Sequence, residues 1–464
     1  MTDLKPRVVV LNQDTSWLVA DPARAQAVRL SGARYLLAAP LTLRGTVIGL
    51  LSLYRTREAD TFDDKEVALT LELAIYTALS IDNARRYTRE HTIAGVLQRH
   101  LLPPATDSQT AVETAHLNVT DDQGGGGWFD AFDLHGARTA LVVGEVAGDG
   151  IHTTTSMGQL RTVIRSLAAL DLEPDELLAR LDETATRLAQ ERDSLPMDDP
   201  LRRQPLNATC LCAIYDPFSS TCAIASAGHP APVLVTADAP PRLLDLTVGG
   251  ALGSGNGPPF PVATITLSDG DVVALYTPPL LAALHSADDM TDPRLLMRVL
   301  ALTDRPIQDL CDDILYQLHS DALSGDAVLL IARARTFPPD CVATWPLSDD
   351  LTAAAVARRN ARHQLDVWGV DEDTAYATQE IVSELVTNAL RYGAPPVRLR
   401  LIKDHRILTC EVHDGNTSAP RLRHARIVDE GGRGLFICAQ LAQNWGIRYT
   451  TKGKNVWTEQ FLTQ

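Results

Sequence analysis

From Phe62 to Leu102 the chain runs without a proline, and apolar residues return every three or four positions. They are Val67, Leu71, Ala74, Ile75, Ala78, Leu79 and Ile81, then Ile93, Val96, Leu97 and Leu101. That spacing is the period of a helix, and Pro103 and Pro104 stop it. A helix of roughly 40 residues exceeds the usual globular length and reads as a coiled-coil or signalling element between domains. Two ordinary helices broken near Gly95 are the alternative. Upstream, residues 35–43 and 46–54 read as strands, split by Arg44 and Gly45, which suit a hairpin turn.

Beyond the helix, TALVVGEVAG, ATCLCAIYDP, CAIASAGHPAPVLV, DVVALYTP and DAVLLIARA read as strands. TSMGQLRTVIRSLAAL and PDELLARLDETATRLAQ between them carry helical spacing. Residues 105–335 therefore predict sheets covered by helices. The stretch RTFPPD, 335–340, reads as a linker. Residues 341–464 then give a strand (VATWPL), helices over 351–366 and 372–392, two strands (VRLRLI and RILTCEVHD), a polar loop, a helix over 434–445 and two strands (GIRYTT and VWTEQFL). Helices on one side of a mostly antiparallel sheet are the expectation. The fold class is thus α+β and multidomain, and no internal repeat is visible.

Composition narrows the functions. A length of 464 residues suits about three domains. The formal charge of −16 and a pI near 5.2 repel phosphate backbones and anionic headgroups, which argues against nucleic acid as a partner. The longest apolar runs, YLLAAP and VIGLLSLY, fall short of the ~20 residues that span a bilayer. No membrane partner is expected. The N-terminus shows no secretory signal, so a cytoplasmic location is expected. Seven cysteines without a Cys-x-x-Cys pair read as reduced packing residues.

Candidate chemistry concentrates near the C-terminus. SELVTNALRYG places Glu384 and Asn388 one helical turn apart, on one face. EVHDG ends a strand at Asp414 and Gly415, and DEGGRGLFI puts Gly431, Gly432 and Gly434 at a helix start, where bare amides can approach phosphate oxygens. No Rossmann or P-loop pattern accompanies them. The ordered set ExxxN, D-G and GGRGL resembles the GHKL ATPases, specifically the anti-sigma-factor serine kinases, over about 120 residues. The resemblance implies that Asn388 holds the Mg²⁺ of ATP and that Glu384 is the general base for a serine hydroxyl. It also implies that Asp414 accepts from the adenine amino group, with Gly415 beside it, and that Gly431, Gly432 and Gly434 line the phosphates. Phosphoryl transfer needs positioning and charge neutralisation above all, which this set supplies. A histidine-kinase reading needs an acid after the phosphoacceptor histidine, which His91 and His100 lack.

LQRHLLPP, GWFDAF, LVVGEVAGDGI, SMGQLRT, SAGHPAP, ALYT and AVLLIAR resemble the SpoIIE branch of the metal-dependent protein phosphatases. That resemblance implies an αββα sandwich with acids around two Mn²⁺ or Mg²⁺ ions. The acids are depleted here. Gly127 stands for a bridging Asp, Glu145 for an Asp, Asp149 for a His, Pro278 for an Asp and Gly325 for the first acid of a pair. Asp130, Glu145 and Asp326 remain as candidate ligands. Two close cations repel more than so few oxygens attract, so an impaired phosphatase is the leading expectation, with an altered single-metal site of Asp130, Glu145, Asp149 and Asp326 as the alternative. His229, flanked by Gly and Pro, reads as a loop histidine that satisfies backbone groups.

The first segment resembles the C-terminal half of a GAF sensory domain. The predicted domains are a partial GAF-like sensor over 1–62, a signalling helix over 63–104, a phosphatase-like domain over 105–335 and a GHKL α/β sandwich over 341–464. This order resembles fused regulators of bacterial partner switching. It implies a sigma factor or a STAS-type anti-sigma antagonist as partner, with a homodimer built on the long helix. An active phosphatase on a phosphorylated antagonist and a non-catalytic ATP-binding scaffold remain as alternatives.

Overall fold

Arg44 and Gly45 both take positive φ, 48° and 79°, as a two-residue hairpin turn of the primed type demands. They join the long strands of the first unit. The structure is a computed structural model that describes the chain outside residues 1–4, 12–21, 57–59, 104–109, 121–124, 169, 205, 256–258, 285–292, 303–304, 320–322, 324, 351, 418–433, 451 and 463–464. Two units result, residues 1–93 and 94–464.

The first unit holds β1 (Arg7–Val10), α1 (Pro22–Ser31), β2 (Ala33–Leu43), β3 (Thr46–Thr56) and most of α2 (Asp64–Leu101). The strands form one antiparallel sheet in the order β1, β2, β3. A reciprocal cap starts α2: the Glu66 amide donates to Asp63 Oδ1 at 2.8 Å and the Asp63 amide to Glu66 Oε2 at 2.9 Å, satisfying two orphan donors. The helix is continuous for 38 residues, so Gly95 does not break it. Ala74 and Ala78 pack on Ala39 and Leu41. By length and composition alone α2 is long and apolar enough to cross a membrane, with mean hydropathy 1.2 in one window.

The second unit opens with β4 (Val112–Val119), β5 (Gly127–Leu134), β6 (Arg138–Val146), α3 (Gly150–Ala168) and α4 (Pro174–Asp193). It continues through β7 (Ala208–Asp216), β8 (Thr221–Ala227), β9 (Val233–Thr236), β10 (Ala239–Leu243), β11 (Ala263–Thr266) and β12 (Val272–Tyr276). Helices α5 (Pro278–Leu284), α6 (Arg294–Leu300) and α7 (Ile307–Gln317) then lead to β13 (Ala327–Ala334). Two antiparallel sheets form, ordered β10-β9-β12-β13-β4 and β11-β8-β7-β6-β5.

Because strand side chains alternate, each central strand feeds two cores. On β6, Ala140 and Val142 meet Met157, Leu160 and Leu178 of α3 and α4, whereas Leu141 and Val143 meet Val273, Leu275 and Val328 of the facing sheet. On β13, Leu329 and Ile331 turn to Leu280, Leu296 and Leu310 of the other helices. The layers run helix, sheet, sheet, helix. Trp128 sits opposite Gly144 across the β5 and β6 ladder, and a Cβ at Gly144 would lie 2.5 Å from its indole.

The last domain comprises β14 (Val342–Leu347), α8 (Thr352–Val367), α9 (Glu372–Tyr392), β15 (Val397–Asp404), β16 (Ile407–Asp414), α10 (Gly434–Leu441), β17 (Asn444–Thr450) and β18 (Gly453–Phe461). Its sheet, β14-β15-β16-β18-β17, is antiparallel. Leu399, Leu401, Cys410 and Val412 face Ile381, Val382 and Leu385 of α9. The helix expected over 434–445 ends at Leu441, because Asn444 and Trp445 pair with Glu459 and Thr458 and the ladder claims them.

The opposite face of that sheet docks on the middle domain. Trp457 lies over Gly446, stacks on His135 at 3.8 Å and donates its Nε1 hydrogen to Asp171 Oδ2 at 3.0 Å. Asp171, held at φ +62°, also accepts from Arg138. Ile402 joins the core between the middle domain's two sheets.

Gly144→Ala is expected to lower the unfolding free energy of the second unit by about 1–3 kcal/mol, since the added methyl displaces a fully buried indole. Denaturant titration followed by tryptophan fluorescence measures it, and an unchanged midpoint would refute the packing assignment.

Candidate functional site

Helix α9 is launched by Asp371, whose side chain accepts from the Thr374 amide at 2.9 Å, and it buries Ile381, Val382, Leu385, Val386 and Ala389. Glu384 and Asn388 therefore stand half-buried at the edge of that face. The start of α10 comes directly against them. A Cβ at Gly434 would press into the Glu384 carboxylate and lie 3.1 Å from Asn388 Nδ2, so only glycine permits this approach.

Asp414 lies beyond the C-terminal end of α9, where a Cβ on Gly393 would come within 2.7 Å of its Cγ. It is 2% exposed. Its Oδ1 accepts from the Asn416 amide and from Lys454 Nζ, both at 2.9 Å, and the same ammonium donates to the Asn416 carbonyl at 2.8 Å. Asp414 Oδ2 has no partner among the described residues. The Gly415 amide donates to the Ala394 carbonyl at 2.6 Å, and a Cβ on Gly415 would lie 2.5 Å from the Pro395 carbonyl oxygen.

Glu384, Asn388 and Gly434 thus share one place, with Asp414 and Gly415 past the end of the same helix. Gly431 and Gly432 lie outside the described residues. This donor set fits a magnesium nucleotide: a carboxamide oxygen for the cation, a carboxylate one turn away and a helix N-terminus beginning at glycine for phosphate. Lys454 was missed in the sequence. It faces Asp414 in register because β18 rather than β17 pairs with β16, and no local pattern reports that order.

The second candidate centre lies at the mouth of the sandwich. Asp326, 1% exposed, precedes β13. Its Oδ2 accepts from Gln98 Nε2 at 2.5 Å and from the Gly127 amide at 2.8 Å, and its carbonyl accepts from Thr277 Oγ1 at 2.7 Å. A Cβ at Gly127 would lie 2.6 Å from Asp326 Cβ, and one at Gly125 would enter the carboxylate itself. The space vacated by the missing acid is filled by Asp326.

Glu145 lies beside Asp326, and burial, then the Asp326 charge, pushes its carboxyl up to about 7. Gly325 takes φ +147° with Pro279 Cγ 3.1 Å from where its Cβ would be. Asp149 is exposed.

Asp130 does not join this pair. Side chains of β5 alternate, so Asp130 points with Trp128 and Phe132 toward α3, where Arg161 stands 2.9 Å away and Arg165 3.7 Å. Burial raises its carboxyl, and both guanidiniums pull it back. Among the described residues no three His, Cys, Asp or Glu side chains gather as a metal would need. The residues present therefore do not fit a two-cation centre. Gln98, unflagged by the sequence, supplies an amide where a cation would sit against Asp326, and its own Oε1 is buried without a partner among the described residues.

His229 satisfies its neighbourhood, as its flanks suggest. Its Nε2 donates to the Tyr276 carbonyl at 3.1 Å, which fixes the tautomer, and its Nδ1 accepts from Thr209 Oγ1 at 2.9 Å. Burial pushes it down to about 4.

Three family models match the chain. GAF domain covers residues 3–81, Stage II sporulation protein E (SpoIIE) residues 135–335 and Histidine kinase-like ATPase domain residues 347–459. The chain thus carries a GAF domain, a SpoIIE-type phosphatase domain and a GHKL-type ATPase domain, in that order. Among solved structures it is similar to the RsbU and RsbW domains of Rv1364c from Mycobacterium tuberculosis, at 25% identity and TM-score 0.45 over 78% of this chain and 96% of that one. The SiaA-PP2C domain of Pseudomonas aeruginosa is matched at 16% identity and TM-score 0.43, over 54% and 98%. The PP2C domain of SpoIIE from Bacillus subtilis, with a regulatory fragment, is matched at 14% and 0.39, over 48% and 64%.

The Glu145 carboxyl, at about 7 when folded against an ordinary 4.5, contributes stability that is full below pH 4.5 and lost as pH rises through 7. Glu145→Gln is therefore expected to raise the melting temperature at pH 8 by at least about 2 °C and to change it little at pH 5. Equal shifts at both pH values in scanning fluorimetry would show that no raised carboxyl is present.

Proposed function

We propose that this chain is a partner-switching regulator whose last domain binds Mg·ATP and phosphorylates a serine on a small antagonist protein of the STAS type, or holds a sigma factor. The meeting of Glu384, Asn388 and Gly434 carries this reading. Asn388 is the magnesium ligand, and the α10 start at Gly434 lines the phosphates. Asp414 receives the adenine amino group on Oδ2. Lys454, fixed on Oδ1, orients that carboxylate. When bound, the magnesium neutralises the charge that develops on the transferred phosphoryl group. Glu384, on the same helix face, accepts the serine proton as the hydroxyl attacks the γ-phosphoryl group and ADP leaves.

The SpoIIE-type domain is read as catalytically impaired. Asp326 is bound to Gln98 and Gly127 instead of facing an open cation site, and Asp130 is neutralised by arginines. Its role is then to carry and position the ATPase domain. A working phosphatase is the competing reading. It predicts that the full chain hydrolyses a phosphoserine antagonist peptide in millimolar Mn²⁺, whereas the impaired reading predicts no turnover above background and no Mn²⁺-dependent thermal shift.

Asn388→Ala is expected to weaken Mg·ATP binding by at least tenfold, about 1.4 kcal/mol. Glu384→Gln should keep the affinity within about threefold while cutting transfer to the antagonist at least a hundredfold, the scale of a lost general base. Titration calorimetry and a phosphorylation assay separate the two. Wild-type affinity in Asn388→Ala would displace the site assignment, and undiminished transfer in Glu384→Gln would displace the base.

We further read α2 as a dimer surface, since Leu69, Leu73 and Tyr76, spaced by four and three, are 59%, 50% and 70% exposed. Light scattering should give twice the 50.3 kDa chain mass, falling to a single mass in Leu73→Glu, Tyr76→Glu. A monomeric wild type would end this reading.

A further inference from the structure

The outer face of the last domain's sheet does not pack flush on the middle domain. A cavity of ≈ 1110 Å³ opens between them, large enough for a nucleotide-sized ligand by the usual range of roughly 300–1,000 Å³. One wall is a row that crosses four strands in register, Arg398, His413, Asn455 and Arg448. Arg400 and Glu411 form the next row. The facing wall comes from the middle domain and includes Ile214, Ala223 and Thr264.

The charges in this cavity are unlike those of the chain as a whole. In a protein of net charge −16, the lining gathers Arg138, Arg398, Arg400, Arg448 and Lys452. Four carboxylates also line it, and most are already engaged. Glu411 is held by Arg400 at 3.3 Å and Arg448 at 3.6 Å. Glu173 stands 4.0 Å from Arg138, and Asp216 Oδ1 accepts from the Phe218 amide at 2.9 Å. Asp175 sits on the first turn of α4, where the helix N-terminus attracts it.

Two cations are left over. Arg398 and Lys452 are exposed and have no carboxylate within ion-pair distance among the described residues. Deeper in, Arg138 is pushed down to about 10 by burial and then by repulsion from the Arg448 charge, while Asp171 accepts from its guanidinium. An anion entering the cavity relieves that repulsion and meets two unpaired donors at the mouth.

We propose that this interdomain cavity binds a small phosphate-bearing molecule, with Arg398 and Lys452 taking the phosphate groups and Arg400 and Arg448 beneath them. The site is separate from the nucleotide site on α9, because its residues lie on the other face of the sheet. A ligand there touches both domains and binds only while they are docked, so it stabilises the docked arrangement by mass action.

The test uses the full chain carrying Asn388→Ala, which removes the α9 magnesium ligand, and inorganic pyrophosphate without added metal as the probe. Calorimetry should show saturable binding of one pyrophosphate per chain. Adding Arg398→Glu and Lys452→Glu should weaken it at least tenfold while the melting temperature without ligand stays within the error of the parent. Absence of binding in the parent, or equal affinity in the charge-reversed chain, would overturn the proposal. Should the double reversal not fold, Lys452→Ala alone, an exposed hairpin residue, reads the same loss as a fall of at least threefold, and unchanged affinity there overturns it equally.

Discussion

Two-sided burial of the sheets is the constraint on which the second unit rests. A strand whose faces are both covered must satisfy two environments with a side-chain period of two, and a slip of one residue would exchange them. On β6 the pair Ala140 and Val142 serves the helices while Leu141 and Val143 serve the facing sheet. In the last domain Leu399 and Leu401 serve α9 while Arg398, Arg400 and Ile402 look toward the middle domain. Two glycines opposite tryptophans, Gly144 with Trp128 and Gly446 with Trp457, give the indoles room to lie flat on their sheets. The second of these makes the joint, since the ring over Gly446 is the one that reaches Asp171 and His135.

The same constraint explains why the two candidate centres differ so much. The proposed nucleotide site is built at the edge of one helix face, where a buried stripe of Ile381, Leu385 and Ala389 fixes the angle at which Glu384 and Asn388 project. A binuclear phosphatase centre depends on several acids converging from separate strands. With glycine at 125 and 127, the Asp326 side chain occupies the space between β5 and β13 and takes hydrogen bonds from Gln98 and a backbone amide. A buried carboxylate must be paired or protonated, and here Asp326 is paired with amides while Glu145 beside it rises to about 7.

Much of this was legible along the chain. The hairpin at Arg44 and Gly45, the continuous helix ended by prolines and the ExxxN pair one turn apart rest on local periods and turn chemistry, which any short segment reports. The glycines at 127 and 325 could be noticed because the resemblance names the residue types expected there. Asp130 shows the limit. Its place in GWFDAF suggested a ligand, yet the side to which it points is set by pairing with β6, and that side holds Arg161 and Arg165.

The sequence by itself determined the elements, the order of the domains and the residue types available to each centre, because these follow from spacing, breakers and composition. Only the tertiary structure decided which of them meet. Lys454 reaches Asp414 across a ladder whose strand order is not sequential, and Gln98 reaches Asp326 from 228 residues away. Five cations from three strands and a turn gather around one cavity in an acidic chain. Such meetings depend on long-range packing, in which a side chain's partner is chosen by the shape of the space that remains to be filled.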